Sequence, residues 1–253
     1  RLYTELLTSE QYGTIDLIAT TASVLIPIFT IAMVEAVFRF GMEEENKKAV
    51  LSNGLQIAFA GNVLLMLLGP IVFSWTQFSQ YFVWLAALIF VTSFNSICAQ
   101  FVRGIGRVKT FAISGIIKTV SLIACNILFL IGFKMKIEGY LLSLILSEVI
   151  TLVFLFISTR LYLYIQLKPK ADLMKSMLRY SLPLVPSSLS WWVMNASDKY
   201  MILGYIGIAA NGVYTVAHKI PTIINICNSL FMQAWQISAI EEANNKSKDE
   251  FYS

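Results

Sequence analysis

The sequence predicts an all-α protein, a polytopic bundle of transmembrane helices. Of its 253 residues, 57% are hydrophobic and only 13% are charged, whereas a soluble domain carries about 25% charged residues. The apolar residues form long blocks of the ~20 residues that a helix needs to cross the hydrocarbon core, and none shows the period-two alternation of barrel strands. The seven blocks are residues 14–38, 49–74, 80–102, 110–133, 138–159, 180–206 and 211–239.

The loops between these blocks predict the orientation, because Lys and Arg collect on the cytoplasmic side. One alternate set of loops holds 13 of the 19 basic residues, and the opposite set holds only Arg1, Lys134 and Lys136. We therefore expect the N-terminal stretch outside and the 160–179 connection inside. The basic residues of the inner set are Arg39, Lys47, Lys48, Arg103, Arg107, Lys109, Arg160, Lys168, Lys170, Lys175, Arg179, Lys246 and Lys248.

The longest connection, "TRLYLYIQLKPKADLMKSMLRY", predicts a domain boundary. It mixes bases with Leu, Met and Tyr, a pattern typical of a helix extension followed by an amphipathic segment on the inner leaflet. We expect residues 1–166 to form one lobe, 167–179 a cytoplasmic linker and 180–253 the start of a second lobe. Five spans before this boundary and an external N-terminal stretch indicate a further span before residue 1.

Polar side chains inside the first spans follow helical spacing. An ionised group at mid-depth costs about 2.5–3.5 kcal/mol, so such groups usually face a bundle interior or a wet cavity. Glu35 and Arg39 lie one turn apart and are placed to pair. The other stripes are Asp16, Thr20, Ser23 and Pro27 in the first span, and Thr92, Ser96, Gln100 and Arg103 in the third.

Lys118 is the prominent charge of the fourth span, on a stripe with Ser114, Ser121 and Cys125. It lies about two turns into the membrane, so it either snorkels to the inner surface or faces a cavity. In the fifth span, Ser143, Ser147 and Thr151 are typical of small-residue helix contacts. Glu148 beside them is not explained by packing alone.

The last two spans are the most polar. Trp191, Asn195 and Asp198 share one helix face, whereas Lys199 lies about 100° away and is not placed to neutralise Asp198. His218 is either a structural group or a proton-coupling one, and Lys219 follows it. The seventh span carries the stripe Asn211, Tyr214, His218, Asn225 and Ser229, and Pro183, Pro186 and Pro221 predict kinks.

These stripes indicate a lined cavity with a partly cationic wall. Buried Lys and Arg pair well with phosphate, so the pattern favours a transporter of an anionic substrate. The sequence has no Walker motif, no metal-ligand cluster and no nucleophile–base pair. We expect no cofactor and no nucleic-acid partner, and either Na⁺ or H⁺ is compatible as a coupling ion.

Several stretches resemble the polysaccharide flippases of the multidrug/oligosaccharidyl-lipid/polysaccharide (MOP) exporter superfamily. "RYSLPLVPSSLSWWVMNASDKYMILGYIGIAANGVYTVAHKIPTI" with "FMQAWQISAI" resembles their seventh and eighth spans. "LLTSEQYGTIDL" with "EAVFRFG" is similar to the loop before the second span and to the end of that span. "FVRGIGRVKTFAISGI" is similar to the connection from the fourth span to the fifth.

The resemblance implies a fold, a site and a cargo. The chain would hold spans two to eight of a MATE-like, two-lobe transporter that works by alternating access in the bacterial cytoplasmic membrane. The cargo would be an undecaprenyl-diphosphate-linked oligosaccharide, flipped to the outer leaflet among membrane lipids and other polysaccharide assembly proteins. The expected cavity residues are Arg39, Lys118, Asn195, Asp198, Lys199, His218 and Lys219.

Three other classes are weighed against this one. A MATE-type multidrug exporter shares the fold and would use acidic groups such as Glu35, Glu148 and Asp198 for cationic drugs. A membrane-bound polysaccharide polymerase or ligase would need a sizeable external loop with catalytic groups, and the external connections here are short. A purely structural membrane protein would not need so many polar stripes.

Overall fold

A computed structural model describes residues 7–73, 79–166 and 168–218, with the helical residues 224–225, 228–229, 231–233 and 235–236. Within those ranges every regular element is a helix, which confirms the all-α class. The main helices are α1 (Ser9–Phe29), α2 (Met33–Glu43), α3 (Lys47–Phe73), α4 (Phe82–Gly104), α5 (Val108–Asn126), α6 (Ile137–Thr159), α7 (Ala171–Ser181), α8 (Leu184–Tyr205) and α9 (Ile208–Ala217). A 3₁₀ turn at Ser79–Tyr81 precedes α4, a π-helical turn at Ile127–Gly132 extends α5, and a 3₁₀ turn at Leu161–Tyr164 follows α6.

Among the described residues, five helical segments are long and apolar enough to cross a membrane, and they match the first five predicted spans. They are Ser9–Phe29, Lys47–Val72, Ser79–Gly104, Val108–Gly132 and Ile137–Thr159. Helix α8 takes the place of the sixth predicted span; its 22 residues measure about 33 Å, but it is more polar than the other five. The seventh predicted span begins in α9, and most of its remainder lies outside the described residues.

The first predicted span, residues 14–38, is not a single helix. Helix α1 ends at Phe29, and α2 begins at Met33 after a break in which Ile31 (φ 53°) and Ala32 (φ 48°) are left-handed. Such a φ is uncommon outside glycine and is unfavourable for a β-branched residue. Pro27 lies one turn before the break, and its carbonyl accepts a hydrogen bond from the Ala32 amide at 2.8 Å. An apolar run carries no signal for this break, which is why the sequence predicted a continuous helix.

The amphipathic linker forms helix α7, and its apolar face packs on the helix bundle. Leu173 and Met177 are buried and pack in one cluster with Met33, Phe101 and Leu155 from α2, α4 and α6. Two apolar anchors with charged neighbours fit a bundle surface as well as a membrane, so the pattern alone could not distinguish them. The linker is therefore part of the bundle.

The chain leading into α7 is tied to the start of α3 by side-chain hydrogen bonds. The Asn53 amide donates to the Lys170 carbonyl at 3.1 Å and accepts from the Lys170 amide at 3.3 Å. The Ser52 hydroxyl accepts from the Gln166 amide at 2.8 Å and donates to the Tyr164 carbonyl at 3.3 Å. These bonds fix the backbone of the connection between α6 and α7 against α3.

The opposite end of the bundle gathers the segments that the charge bias predicts to be external. One pocket there is bordered by Thr8, Tyr81, Ile137 and Ile208. They belong to the start of α1, the turn before α4, the start of α6 and the start of α9. This end is called the outer end below, and the end that carries α7 the inner end.

Helix α3 passes close to the end of α1 at Gly61. A Cβ added to Gly61 would lie 1.7 Å from the Phe29 carbonyl oxygen, whereas one added to Gly115 of α5 would meet nothing within 4 Å. Backbone contact of this kind is typical of packed membrane helices, in which small residues line the interface. The contact holds α3 against the segment where α1 breaks.

We predict that Gly61→Ala lowers the melting temperature of the detergent-purified protein. The added methyl forces α1 and α3 apart, at a cost of about 1–3 kcal/mol. Gly115→Ala is the matched control, since both changes gain about 1 kcal/mol of helix propensity and only one meets an obstacle. Equal melting temperatures for the two variants, measured by scanning fluorimetry, would contradict the close contact.

Candidate functional site: two cavities and two buried ion pairs

A cleft of about 790 Å³ opens inside the first lobe and is called the first-lobe cleft. It lies between α4 and α5, and α2, α6 and Gln233 of the predicted second lobe add side chains to its wall. Hydroxyl and amide groups line it among apolar ones. Its polar lining includes Asn95, Ser96, Gln100, Lys118, Thr119 and Thr151.

Lys118 reaches from this cleft to a buried carboxylate. Its Nζ lies 2.6 Å from Oε1 of Glu148, with the Lys118 side chain 44% exposed and that of Glu148 only 7%. The Asn95 amide donates a short hydrogen bond to Oε2 of Glu148, and the Thr92 hydroxyl donates to Oε1 at 3.4 Å. Helices α4, α5 and α6 are therefore joined by one carboxylate with three donors. Such a set is what a buried charge requires.

This arrangement decides between the two interpretations of Lys118 left open by the sequence. The side chain pairs with Glu148 and borders the cleft, so it does not simply snorkel to the inner surface. The sequence already singled out its partner, Glu148, as an acidic residue of the fifth span that packing alone does not explain. Opposite charges at similar depths in adjacent spans are the signal that would have joined them.

A second cavity, of about 520 Å³, lies between the two predicted lobes and is called the inter-lobe cavity. Ser23 and Pro27 of α1 and Glu35 of α2 form one wall. Trp191 and Trp192 of α8 contribute to the other, and Tyr180, Leu184, Ser187, Ser188 and Gln236 complete the lining. The polar stripe of the first span therefore continues into a cavity, as its spacing indicated.

Only part of the predicted α8 face borders this cavity. Trp191 lines it, while the side chain of Asn195 lies outside the part of the chain that the structure describes. Asp198 is exposed and accepts a hydrogen bond from the Tyr214 hydroxyl of α9 at 3.1 Å. Asp198 therefore joins α8 to α9.

Lys199 makes an ion pair that the sequence did not identify. Its Nζ lies 2.8 Å from Oδ2 and 3.0 Å from Oδ1 of Asp16, and 3.4 Å from the Thr20 hydroxyl. The side chains of Lys199 and Asp16 are only 17% and 16% exposed. As expected, Lys199 does not neutralise its neighbour Asp198. The pair instead joins α1 of the predicted first lobe to α8 of the predicted second lobe.

Two aromatic side chains of α8 strengthen this contact with α1. The Trp192 indole N–H donates to the Thr20 carbonyl at 3.3 Å, and the Tyr200 hydroxyl lies 2.7 Å from the Thr21 hydroxyl. The two rings also contact each other, with centroids 5.4 Å apart. The ion pair is thus enclosed by polar contacts on the same pair of helices.

Arg39 does not pair with Glu35, contrary to the expectation from their spacing. Its Nε lies 3.2 Å from Oε1 of Glu43, one turn further on, and both side chains are about half exposed (46% and 45%). Its guanidinium also stacks over the Tyr180 ring, 4.6 Å from the centroid. Glu35 and Glu43 are each four residues from Arg39, so helical spacing allows Arg39 to pair with either carboxylate. The contact with Tyr180, which is tertiary, directs Arg39 away from Glu35.

Arg103 is a buried cation. The sequence placed it on the polar stripe of the third span but not among the expected cavity residues. Its guanidinium lies 4.2 Å from the centre of the Phe38 ring. It donates to Gln100 Oε1 at 3.3 Å, to the Gln233 carbonyl at 2.6 Å and to Gln236 Oε1 at 3.3 Å. It therefore links α4 to residues 233 and 236 of the predicted second lobe. Its position on the same polar stripe as Gln100 was the sequence signal that could have identified it as a functional residue.

The remaining candidates lie near the end of α9. His218 follows the last residue of α9, is exposed and lies beside Tyr214, with ring centroids 5.5 Å apart. Tyr214 thus contacts both His218 and Asp198. Lys219 lies outside the described residues. The predicted cavity residues consequently occupy separate places: Lys118 in the first-lobe cleft, Arg39 beside Tyr180, Lys199 against α1, and Asp198 with His218 around Tyr214.

A protein-family model matches nearly the whole chain. The model described as "Polysaccharide biosynthesis protein" matches residues 2–236. Comparisons with curated proteins and with solved structures gave no match.

We predict that Lys118→Met destabilises the protein more than its partly exposed position suggests. The change leaves the Glu148 charge buried without its cation, at a cost of about 1–3 kcal/mol. The double variant Lys118→Met/Glu148→Gln should recover most of the melting temperature, because the neutral amide still accepts from Asn95. Lys109→Met, on the exposed surface of α5, is the control. An equal loss in the single and double variants would contradict a coupled pair.

Proposed function

The chain belongs to the polysaccharide biosynthesis protein family, the polysaccharide flippases of the MOP exporter superfamily, and we propose that it flips an undecaprenyl-diphosphate-linked oligosaccharide from the inner to the outer leaflet. The family match over residues 2–236 is the observation that carries this proposal. It supports a membrane transporter role in polysaccharide synthesis, because the family is one of transporters. That the substrate is a lipid-linked oligosaccharide is our proposal.

The two cavities fit the chemistry of such a cargo. A lipid-linked oligosaccharide combines sugar hydroxyls with an anionic diphosphate. The amides and hydroxyls of the first-lobe cleft offer hydrogen bonds to sugars, and Lys118 brings a cation to the same wall. In the inter-lobe cavity, Trp191 and Trp192 provide flat apolar faces. A concave site with a few placed polar groups among apolar ones is the usual form of a small-molecule site.

Lys118 and Arg39 are the candidates for contact with the diphosphate. Both are nearly half exposed and thus accessible to a ligand, although each already has a carboxylate partner. A diphosphate carries more charge than one carboxylate and can take over these donors through charge-assisted hydrogen bonds. Asn195, Asp198, His218 and Lys219 complete the proposed path.

Transport proceeds by alternating access in the bacterial cytoplasmic membrane, with the two lobes rocking about the cavity between them. Na⁺ or H⁺ serves as the coupling ion. The direct partners are the lipid-linked cargo, membrane lipids and other proteins of polysaccharide assembly. The positive-inside charge bias supports this orientation, with the linker helix α7 at the cytoplasmic end.

A MATE-type export of organic cations is the second candidate, and Glu35 is the observation that favours it. This carboxylate lines the inter-lobe cavity, where a cationic drug would find a counter-charge. Asp16 and Glu148 are less suited to that role because each is paired with a lysine. Competition between undecaprenyl diphosphate and an organic cation for binding to the purified protein separates the two functions.

We predict that Arg39→Ala and Lys118→Ala in the full-length protein each reduce polysaccharide export about tenfold while membrane insertion stays intact. One lost charge-assisted hydrogen bond is worth about 1.5–3 kcal/mol, or about tenfold or more in affinity. Export is measured as surface polymer per cell, and insertion by quantitative blotting of the membrane fraction.

Two controls make this test specific. Arg39→Lys keeps the charge and should retain part of the export that Arg39→Ala loses. Lys109→Ala removes an exposed cation from α5 and should have no effect. Normal export in both alanine variants would rule out the role given to these two bases.

A further inference from the structure

The tightest contact between the two lobes lies at the outer end and joins α1 to α9. A Cβ added to Gly13 would lie 2.4 Å from the Ile208 carbonyl oxygen, and one added to Gly212 would lie 2.1 Å from the Ser9 carbonyl oxygen. The Asn211 amide also donates to the Gly13 carbonyl at 3.4 Å. No side chain fits between these backbones, so this part of the outer end is sealed.

One turn deeper along α1, the seal includes the ion pair between Asp16 and Lys199. Both side chains are about five-sixths buried, and Nζ of Lys199 also donates a hydrogen bond to the Thr20 hydroxyl. If α1 and α8 separated here, an aspartate and a lysine would lose their counter-charges within an apolar bundle. Breaking a buried pair in this way is strongly unfavourable, so the pair resists separation in a way that apolar contacts alone would not.

Deeper still, α1 and α8 no longer touch along their whole facing surfaces. Ser23 and Pro27 of α1 are separated from Trp191 of α8 by the inter-lobe cavity. The two lobes are thus joined at the outer end, with the inter-lobe cavity below this contact, and Arg103 and Arg39 add contacts between them towards the inner end. This is the shape of a closed outer gate above a cavity.

We propose that Asp16 and Lys199 form the latch of this outer gate. Asp16 holds Lys199 against α1 in the closed state, and the pair separates when the gate opens. Lys199 is then a positioning residue and not a ligand of the cargo. The proposal rests on the proposed function only in that a transporter must open this end, and it holds whatever the cargo is.

The latch is tested in the full-length protein in lipid nanodiscs by electron–electron spin distance measurements. Labels replace Glu10 of α1 and Tyr205 of α8, which are exposed at the outer end, in a background without other cysteines. Asp16→Asn should raise the ratio of long-distance (open) to short-distance (closed) populations about tenfold. The reversed pair, Asp16→Lys with Lys199→Asp, should restore the short distance.

Controls separate a latch from a merely structural contact. Glu138→Gln removes a carboxylate from the same end outside this contact and should leave the distances unchanged. Lys199→Gln removes the cationic partner of the pair. It replaces Asp16→Asn in the test if that variant does not reach the membrane. If both single variants match Glu138→Gln, or if the reversed pair stays open, the latch is overturned. Cargo plays no part in the readout, so failure of the latch is distinct from failure of lipid-linked sugar transport.

Discussion

The structure depends on the neutralisation of acidic side chains inside an apolar bundle. An unpaired ionised group is costly there, and the described residues solve the problem twice with a lysine. Glu148 meets Lys118 between α5 and α6, within the predicted first lobe. Asp16 meets Lys199 between α1 and α8, across the two predicted lobes. One pair therefore joins helices of the same predicted lobe, and the other joins helices of different ones.

These two pairs give the cationic residues different roles in the proposed transport. Lys118 borders the first-lobe cleft and is accessible to a ligand, whereas Lys199 is mostly buried against α1. A basic residue in a transporter span is therefore not a cargo ligand merely because it is basic. The family match supports a membrane transporter role in polysaccharide synthesis, and the geometry distinguishes a half-exposed lysine, Lys118, from a mostly buried one, Lys199.

The sequence was sufficient for the fold class, the first five spans and the amphipathic character of α7, because these follow from long apolar blocks and helical periodicity. It was not sufficient for the left-handed break at Ile31, since Ile and Ala carry no local signal for that conformation. It also missed that Asp16 and Lys199 meet, although both lie near the outer ends of their helices. Which helices become neighbours is decided by packing, such as the close approach of Gly13 and Gly212, and not by the pattern of any one helix.

The most direct test of the central claim is translocation by the purified full-length protein in liposomes. Undecaprenyl-diphosphate-linked oligosaccharide is placed in the inner leaflet, and its arrival in the outer leaflet is followed by an added glycosidase that cannot cross the membrane. The account predicts protein-dependent cleavage that free undecaprenyl diphosphate inhibits and an organic cation does not. Cleavage no faster than in protein-free liposomes, alongside transport of the organic cation by the same preparation, would contradict it.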